Sequence, residues 1–260
     1  MRKILLPLIL LASALPGCGP GLDTDSFHPG SIDGALFWYK AEQASWPSGG
    51  NQWSWTESLG NQTGLSLTGN GAPSIYSGSQ GQKLMSLNSG SYFSMGYPTQ
   101  PLSLGEFTVY AVTQGKTAVD GGIFGVLSND LTSAYCASTN LSLRVTGSPA
   151  QFKGEFWNGS SSILASIPAS TGLSVVELRY GSDGTLRLQA AGQSISVSAP
   201  YQTVSISIPK VALGAACLNS SQIATGNINL GEVLFYNRAV SDSESLRIRR
   251  YLMLRHGVSQ

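Results

Sequence analysis

The chain has little charge. Asp, Glu, Lys and Arg make up 11% of its 260 residues, against roughly 25% in a typical globular chain. The signs nearly cancel, at a formal +1. There is no basic surplus to grip a phosphate backbone, so no nucleic-acid partner is expected. Histidine is scarcer still. Only His28 and His256 occur, which leaves a Ser-His-Asp triad without good candidates, and no Gly-x-Ser-x-Gly elbow is present. Long hydrophobic runs are missing too. The one sustained stretch, Ile4 to Leu15, is shorter than the roughly 20 residues of a membrane-spanning helix. Hydrophobic content itself is not lacking, at 42%. That excludes intrinsic disorder, which goes with low hydrophobicity and few aromatics.

The N-terminus reads as an export signal. Arg2 and Lys3 form a positive n-region, and Ile4 to Leu15 forms the apolar h-region. Leu15-Pro16-Gly17-Cys18 then resembles the lipobox of bacterial lipoproteins, with Pro16 where Ala, Ser or Thr is more usual. The resemblance implies cleavage before Cys18 and acylation of that residue. Several acyl chains anchor stably, since each buried CH₂ contributes about 0.8 kcal/mol and one chain alone is marginal. Gly19 in place of Asp points to the outer membrane or cell surface. The alternative is an ordinary signal peptide with an incidental cysteine. The domains expected are a signal at 1–17, a lipidated Cys18 with a polar tether at 18–32, and one folded domain at 33–260.

Cysteine is rare, and what remains fits an oxidising compartment. With Cys18 lipidated, Cys136 and Cys217 are left as a candidate disulfide. The closed loop of about 80 residues is worth roughly 3–5 kcal/mol in the entropic model. Two buried free thiols are the alternative.

From Ala35 onward the pattern is that of strands. Ala35 to Tyr39, Phe107 to Val112, Gly122 to Leu127, Leu141 to Val145, Leu173 to Tyr180, Thr185 to Ala190, Ser194 to Ser198 and Val204 to Ile208 are apolar or alternating runs. Gly181-Ser182-Asp183-Gly184 is a hairpin turn between two of them. Strands at such spacing predict an all-β fold, an antiparallel sandwich or barrel. One helix closes the chain. Ser241-Asp242-Ser243-Glu244 is a capping box, Leu246, Ile248, Tyr251, Leu252 and Leu254 supply the apolar stripe, and Gly257 suits the C′ position. Arg247, Arg249 and Arg250 are expected on the solvated face.

Gly231-Glu232-Val233-Leu234-Phe235-Tyr236-Asn237-Arg238, followed by that capped helix with Tyr251-Leu252 and His256-Gly257, resembles the C-terminal signature of the concanavalin A-like lectin/glucanase superfamily, in its laminin-G-like branch. Leu36 to Ala41, Trp55 to Asn61, Leu87 to Phe93 and Phe107 to Val112 resemble its earlier segments in order, although Leu59 breaks the spacing of the Trp turn. The resemblance implies a concanavalin A-like jelly roll over about 33–258 with one short C-terminal helix. It does not fix a ligand.

Glucanases of the superfamily carry a Glu-x-Asp-x-x-Glu strand, and paired carboxylates about 5 Å apart are what retaining hydrolysis needs. No such run occurs, and Glu155 and Glu177 stand alone on their strands, so catalysis is not expected. Asp120, Asp130 and Asp183, with Asn88, Asn129 and Asn158, are scattered oxygen donors; a bound Ca²⁺ stays open as a cofactor. No His/Cys spacing supports zinc. Trp46, Asn51, Trp53 and Trp55 lie in one polar stretch. Indoles stack on the apolar faces of sugars while amides bond hydroxyls, so these four are candidate glycan-binding residues. The competing reading puts Trp53 and Trp55, two apart, into the core. Expected function is therefore a membrane-anchored lectin-like domain binding glycan or polysaccharide. An adhesin or assembly subunit with a protein partner is the alternative.

Overall fold

The computed structural model describes residues 27–46, 53–60, 65–68, 72–78, 80–96, 102–116, 120–127, 139–206, 210–217 and 223–259. Cys18 and the whole expected signal lie outside these. The first strands are β1 (Ala35–Ser45), β2 (Ser54–Glu57), β3 (Leu65–Thr68), β4 (Ser74–Ser77), β5 (Lys83–Leu87), β6 (Tyr92–Gly96) and β7 (Leu102–Leu104). The middle of the chain gives β8 (Phe107–Gly115), β9 (Gly121–Leu127), β10 (Thr139–Gly147), β11 (Ala150–Trp157), β12 (Ser162–Pro168), β13 (Ser174–Tyr180), β14 (Thr185–Ala190) and β15 (Gln193–Ser198). Then follow β16 (Val204–Ile206), β17 (Lys210–Leu213), β18 (Ala215–Cys217), β19 (Ile223–Thr225), β20 (Ile228–Tyr236) and the helix α1 (Asp242–His256).

The strands form one long antiparallel path, β12-β11-β10-β9-β17-β6-β3-β2-β1-β20-β8-β13-β14-β15. The path is folded over, so its end strands β12 and β15 pack against each other. The result is a β-sandwich. Its front sheet runs from β12 to β3 and its back sheet from β1 to β15, with β2 turning the corner. Residues alternate as strand geometry demands. Val109 and Ala111 of β8, Val176 and Leu178 of β13, and Val233 and Phe235 of β20 face the front sheet's Phe124, Leu143 and Phe152 in one core.

At its centre, on β20, β8 and β13, the back sheet is buried on both faces, which is why β8 reads as a near-continuous buried run. Its outer face carries Tyr110, Val112, Leu234 and Tyr236, and α1 lays Ile248 and Leu252 on them. The capping box forms as expected: Ser241 Oγ accepts from the Glu244 amide at 3.3 Å, and Glu244 Oε2 accepts from the Ser241 amide at 2.8 Å. Arg238 bonds the same carboxylate at 2.6 Å. These bonds, with that of Arg238 the largest, hold the Glu244 carboxyl at about 2, below its ordinary 4.5. Gly257 takes φ 60° to end the helix, a left-handed conformation natural to glycine.

Two features differ from the sequence reading. Residues 27–32, read as tether, are part of the body: the His28 ring stands edge-on to Trp38 at 4.7 Å, Pro29 is buried and Ile32 joins the core under α1. The helix stripe is also narrower than expected. Ile248 and Leu252 are buried, but Leu246 is 54% and Leu254 60% exposed, because the flat outer face of a sheet meets only one side of a helix.

Candidate functional site

The four residues singled out by their clustering part company in the structure. Trp55 points inward from β2 and is 0% exposed, edge-on to Phe93 at 5.2 Å. Its Nε1 donates to the Lys40 carbonyl at 2.6 Å. Trp55 is therefore a core residue, not a ligand contact, since neither its faces nor its donor is free. Trp53, two residues earlier on the same side, is half-buried against the core. Trp46, at the end of β1, is 53% exposed and edge-on to Trp53 at 6.0 Å and 72°. Asn51 lies outside the described residues. What survives of the cluster is a pair: one indole propped on a second, both flanking the β1–β2 connection.

A second group was not assembled by sequence reasoning. The register of β10, β11 and β12 sets Ser142 beside Glu155 and Glu155 beside Leu164, all on the outer face of the front sheet. One step along lie Arg144 and Lys153. Arg144 is buried; its Nη1 donates to Ser142 Oγ at 2.9 Å and to Glu155 Oε2 at 3.0 Å. Its Nε has no partner among the described residues. Ser162 bonds the other oxygen of Glu155. Beside them Trp157 is 41% exposed. The signal was present, since alternation in Leu141-Ser142-Leu143-Arg144-Val145 turns Ser142 and Arg144 outward, but only the register shows what they meet.

Part of this face is covered. The hairpin of β18 and β19 lies across β9, and glycine allows the approach: a Cβ on Gly122 would sit 2.4 Å from Ala215 Cα. Cys217 of this hairpin is disulfide-bonded, while Cys136 lies outside the described residues.

The remaining acidic groups are used structurally. Glu177, alone on its strand, is buried. Ser245 donates to it at 2.5 Å, and Arg179 and Arg249 approach at 3.5 and 3.9 Å. Glu232 is buried too, accepting from Trp38 Nε1 at 2.6 Å, meeting His256 Nε2 at 3.0 Å and pairing with Arg255. Burial opposes its charge, but the bond to His256, the charges of His256 and Arg255 and the Trp38 bond outweigh burial and hold its carboxyl below the ordinary range. Both histidines are thus packed against Trp38 or Glu232. Among the candidate metal donors, Asp120 and Asp183 accept backbone amides of Gly147 and Thr185 at 3.0 and 2.9 Å. Asn158 caps a turn through the Ser160 and Ser161 amides. Among the described residues no group of three or more His, Cys, Asp or Glu could hold a metal. Asn129 and Asp130 lie outside them.

No protein-family model matches the chain, and no curated protein matches its sequence. Solved structures do match in fold. A sialidase of Trypanosoma rangeli in complex with sialic acid superposes with a TM-score of 0.54 at 12% identity, over 86% of this chain and 33% of that one. The binding domain of botulinum neurotoxin serotype G gives 0.55 at 9%, over 85% and 51%. That of botulinum neurotoxin DC in complex with SialylT gives 0.53 at 8%, over 87% and 52%. The chain thus spans between a third and about half of these proteins. The likeness is one of fold, the lectin-like β-sandwich.

Proposed function

We propose that the chain is a non-catalytic, carbohydrate-binding sandwich of the laminin-G-like branch, exported and held at the outer membrane or cell surface by a lipid on Cys18. Trp46 carries the binding reading. A large indole left outside the core that takes in Trp55, yet braced by the half-buried Trp53, is a preformed stacking surface, and exposed apolar surface of this kind marks a contact site. The fold supports it, since matching structures include a sialidase in complex with sialic acid and a neurotoxin binding domain in complex with SialylT. The non-catalytic reading rests on the front sheet. Glu155 is the one Asp or Glu within its strands among the described residues, and it is tied to Arg144 and Ser162, whereas glycoside hydrolysis uses two carboxyl groups. Cys136 is the disulfide partner proposed for Cys217.

The test is binding of the purified protein to a broad glycan and polysaccharide panel, with and without chelator. A saturable hit that Trp46→Ala weakens by about 2 kcal/mol, roughly thirty-fold, as for an aromatic hot spot, supports the reading. Chelator sensitivity would assign Ca²⁺ a role. A blank panel overturns it in favour of a second reading, a protein partner on the front sheet. One observation favours that alternative: Trp157 and Leu164, both exposed, lie on paired strands and form an apolar strip.

A further inference from the structure

Helix α1 leaves a distinctive face to solvent. Ser245, Ile248, Leu252 and His256 are buried. At 3.6 residues per turn the opposite side carries Leu246, Arg247, Arg250 and Leu254, all exposed. No acidic residue occurs from Ser245 to the end of the sequence. Arg249 and Arg255 turn back to Glu177, Glu232 and Glu42, but Arg247 and Arg250 form no ion pair among the described residues. Scattered exposed leucines are ordinary. Two leucines interleaved with two unpaired arginines over two turns make an amphipathic pole suited to an anionic interface.

The chain enters the fold at this same pole. Phe27, the first described residue, stands edge-on to Tyr251 at 6.0 Å, and the Arg247 guanidinium lies 4.5 Å over its ring. Eight residues separate Cys18 from Phe27, a reach of about 30 Å even when fully extended. An anchor at Cys18 therefore keeps α1, of all the surfaces of the sandwich, nearest the bilayer.

We propose that Leu246, Arg247, Arg250 and Leu254 form the surface by which the tethered domain lies on the membrane that holds it. The arginines face anionic headgroups and the leucines enter the interface. This rests on the lipid anchor proposed above. It also fixes orientation: α1 covers the back sheet, so the outer face of the front sheet points away from the bilayer.

The experiment begins with the full chain, exported with its own signal in a bacterial host. Recovery in the soluble fraction with Cys18 unmodified overturns the anchor, and the docking with it. The lipidated protein is then reconstituted into phosphatidylglycerol-containing and pure phosphatidylcholine vesicles. A polarity-sensitive thiol dye is placed on Leu254→Cys or, as a distal control, on Tyr201→Cys. Docking predicts a several-fold rise in emission at 254, only on the anionic vesicles and reversed by high salt, with no change at 201. Arg247→Gln with Arg250→Gln should lower the docked-to-free ratio about thirty-fold, roughly five-fold for each arginine. Anchored protein whose dye at 254 stays at its aqueous level on both vesicles, or changes equally at 201, overturns the docking and leaves the anchor standing.

Discussion

The outer faces of the two sheets treat polar groups in opposite ways. On the back sheet, beneath α1, carboxylates are buried among partners: Glu232 among Trp38, His256 and Arg255, and Glu177 bonded by Ser245 with Arg179 nearby. On the front sheet the outward Lys153, Glu155 and Trp157 are open or half-open beside the buried Ser142 and Arg144, with small residues where the β18–β19 hairpin crosses. The difference separates what defines the fold from what is free to contact a ligand. The C-terminal signature read from the sequence is the first kind. Its Glu232 and His256 are buried and its Arg238 and Glu244 form a half-buried pair, all on the side away from the front sheet.

The comparison can be broken by mutation. The largest effect is expected for Glu232→Ala, which strands the Trp38 and Arg255 donors around a buried site. A loss of about 3–5 kcal/mol is expected, as for breaking a buried pair, with a matching fall in the midpoint of denaturant unfolding. If the loss is under about 1 kcal/mol, as for a surface pair, the back face is not the structural latch described. Next is Gly122→Val, which drives a side chain into the Ala215 backbone. Overpacking of this kind destabilises by roughly 1–3 kcal/mol, and increased proteolysis near Ala215 would show the hairpin lifting from the front sheet.

A smaller effect is expected in acid. Glu244 has a carboxyl lowered in the folded state from 4.5 to about 2, foremost by Arg238. A lowered carboxyl stabilises the fold fully above its unfolded value and loses that contribution as pH falls from 4.5 toward 2. Glu244→Gln should therefore cost about 1 kcal/mol at neutral pH, as for a lost cap, and flatten the acid limb of the stability profile in that window. An acid limb as steep as that of the parent would mean Glu244 is not its source. Smallest in stability is Trp46→Ala, expected within about 0.5 kcal/mol of the parent. The same substitution should still abolish most glycan binding, whereas Trp55→Ala should lose the fold at about 3–5 kcal/mol.

How much of this was legible follows from element length and from neighbours. Long alternating strands such as Phe107–Gly115 and Thr185–Ala190, and the helix with its capping box, declare themselves locally. Three- and four-residue strands such as Ala215–Cys217 and Ile223–Thr225 are too short to show a period. Trp55 and Trp46 look alike in the sequence, and only the β1–β2 pairing shows which one turns inward. Arg144 and Glu155 are eleven residues apart in the chain and meet only through register. Leu246 and Leu254 fit a helical stripe by spacing, and only the flatness of the sheet beneath leaves them outside.

The position of β1 has a mechanical consequence. It is the first strand after the expected tether, and it is hydrogen-bonded on both edges, to β20 and to β2. Ahead of it, Tyr236 holds the Pro29 carbonyl at 3.0 Å. A pull arriving from the N-terminal side, as the proposed anchor at Cys18 would deliver, therefore runs along β1. Its ladders are loaded together in shear, not one bond at a time from a free edge. The strand nearest the proposed anchor is also the one best placed to bear its tension.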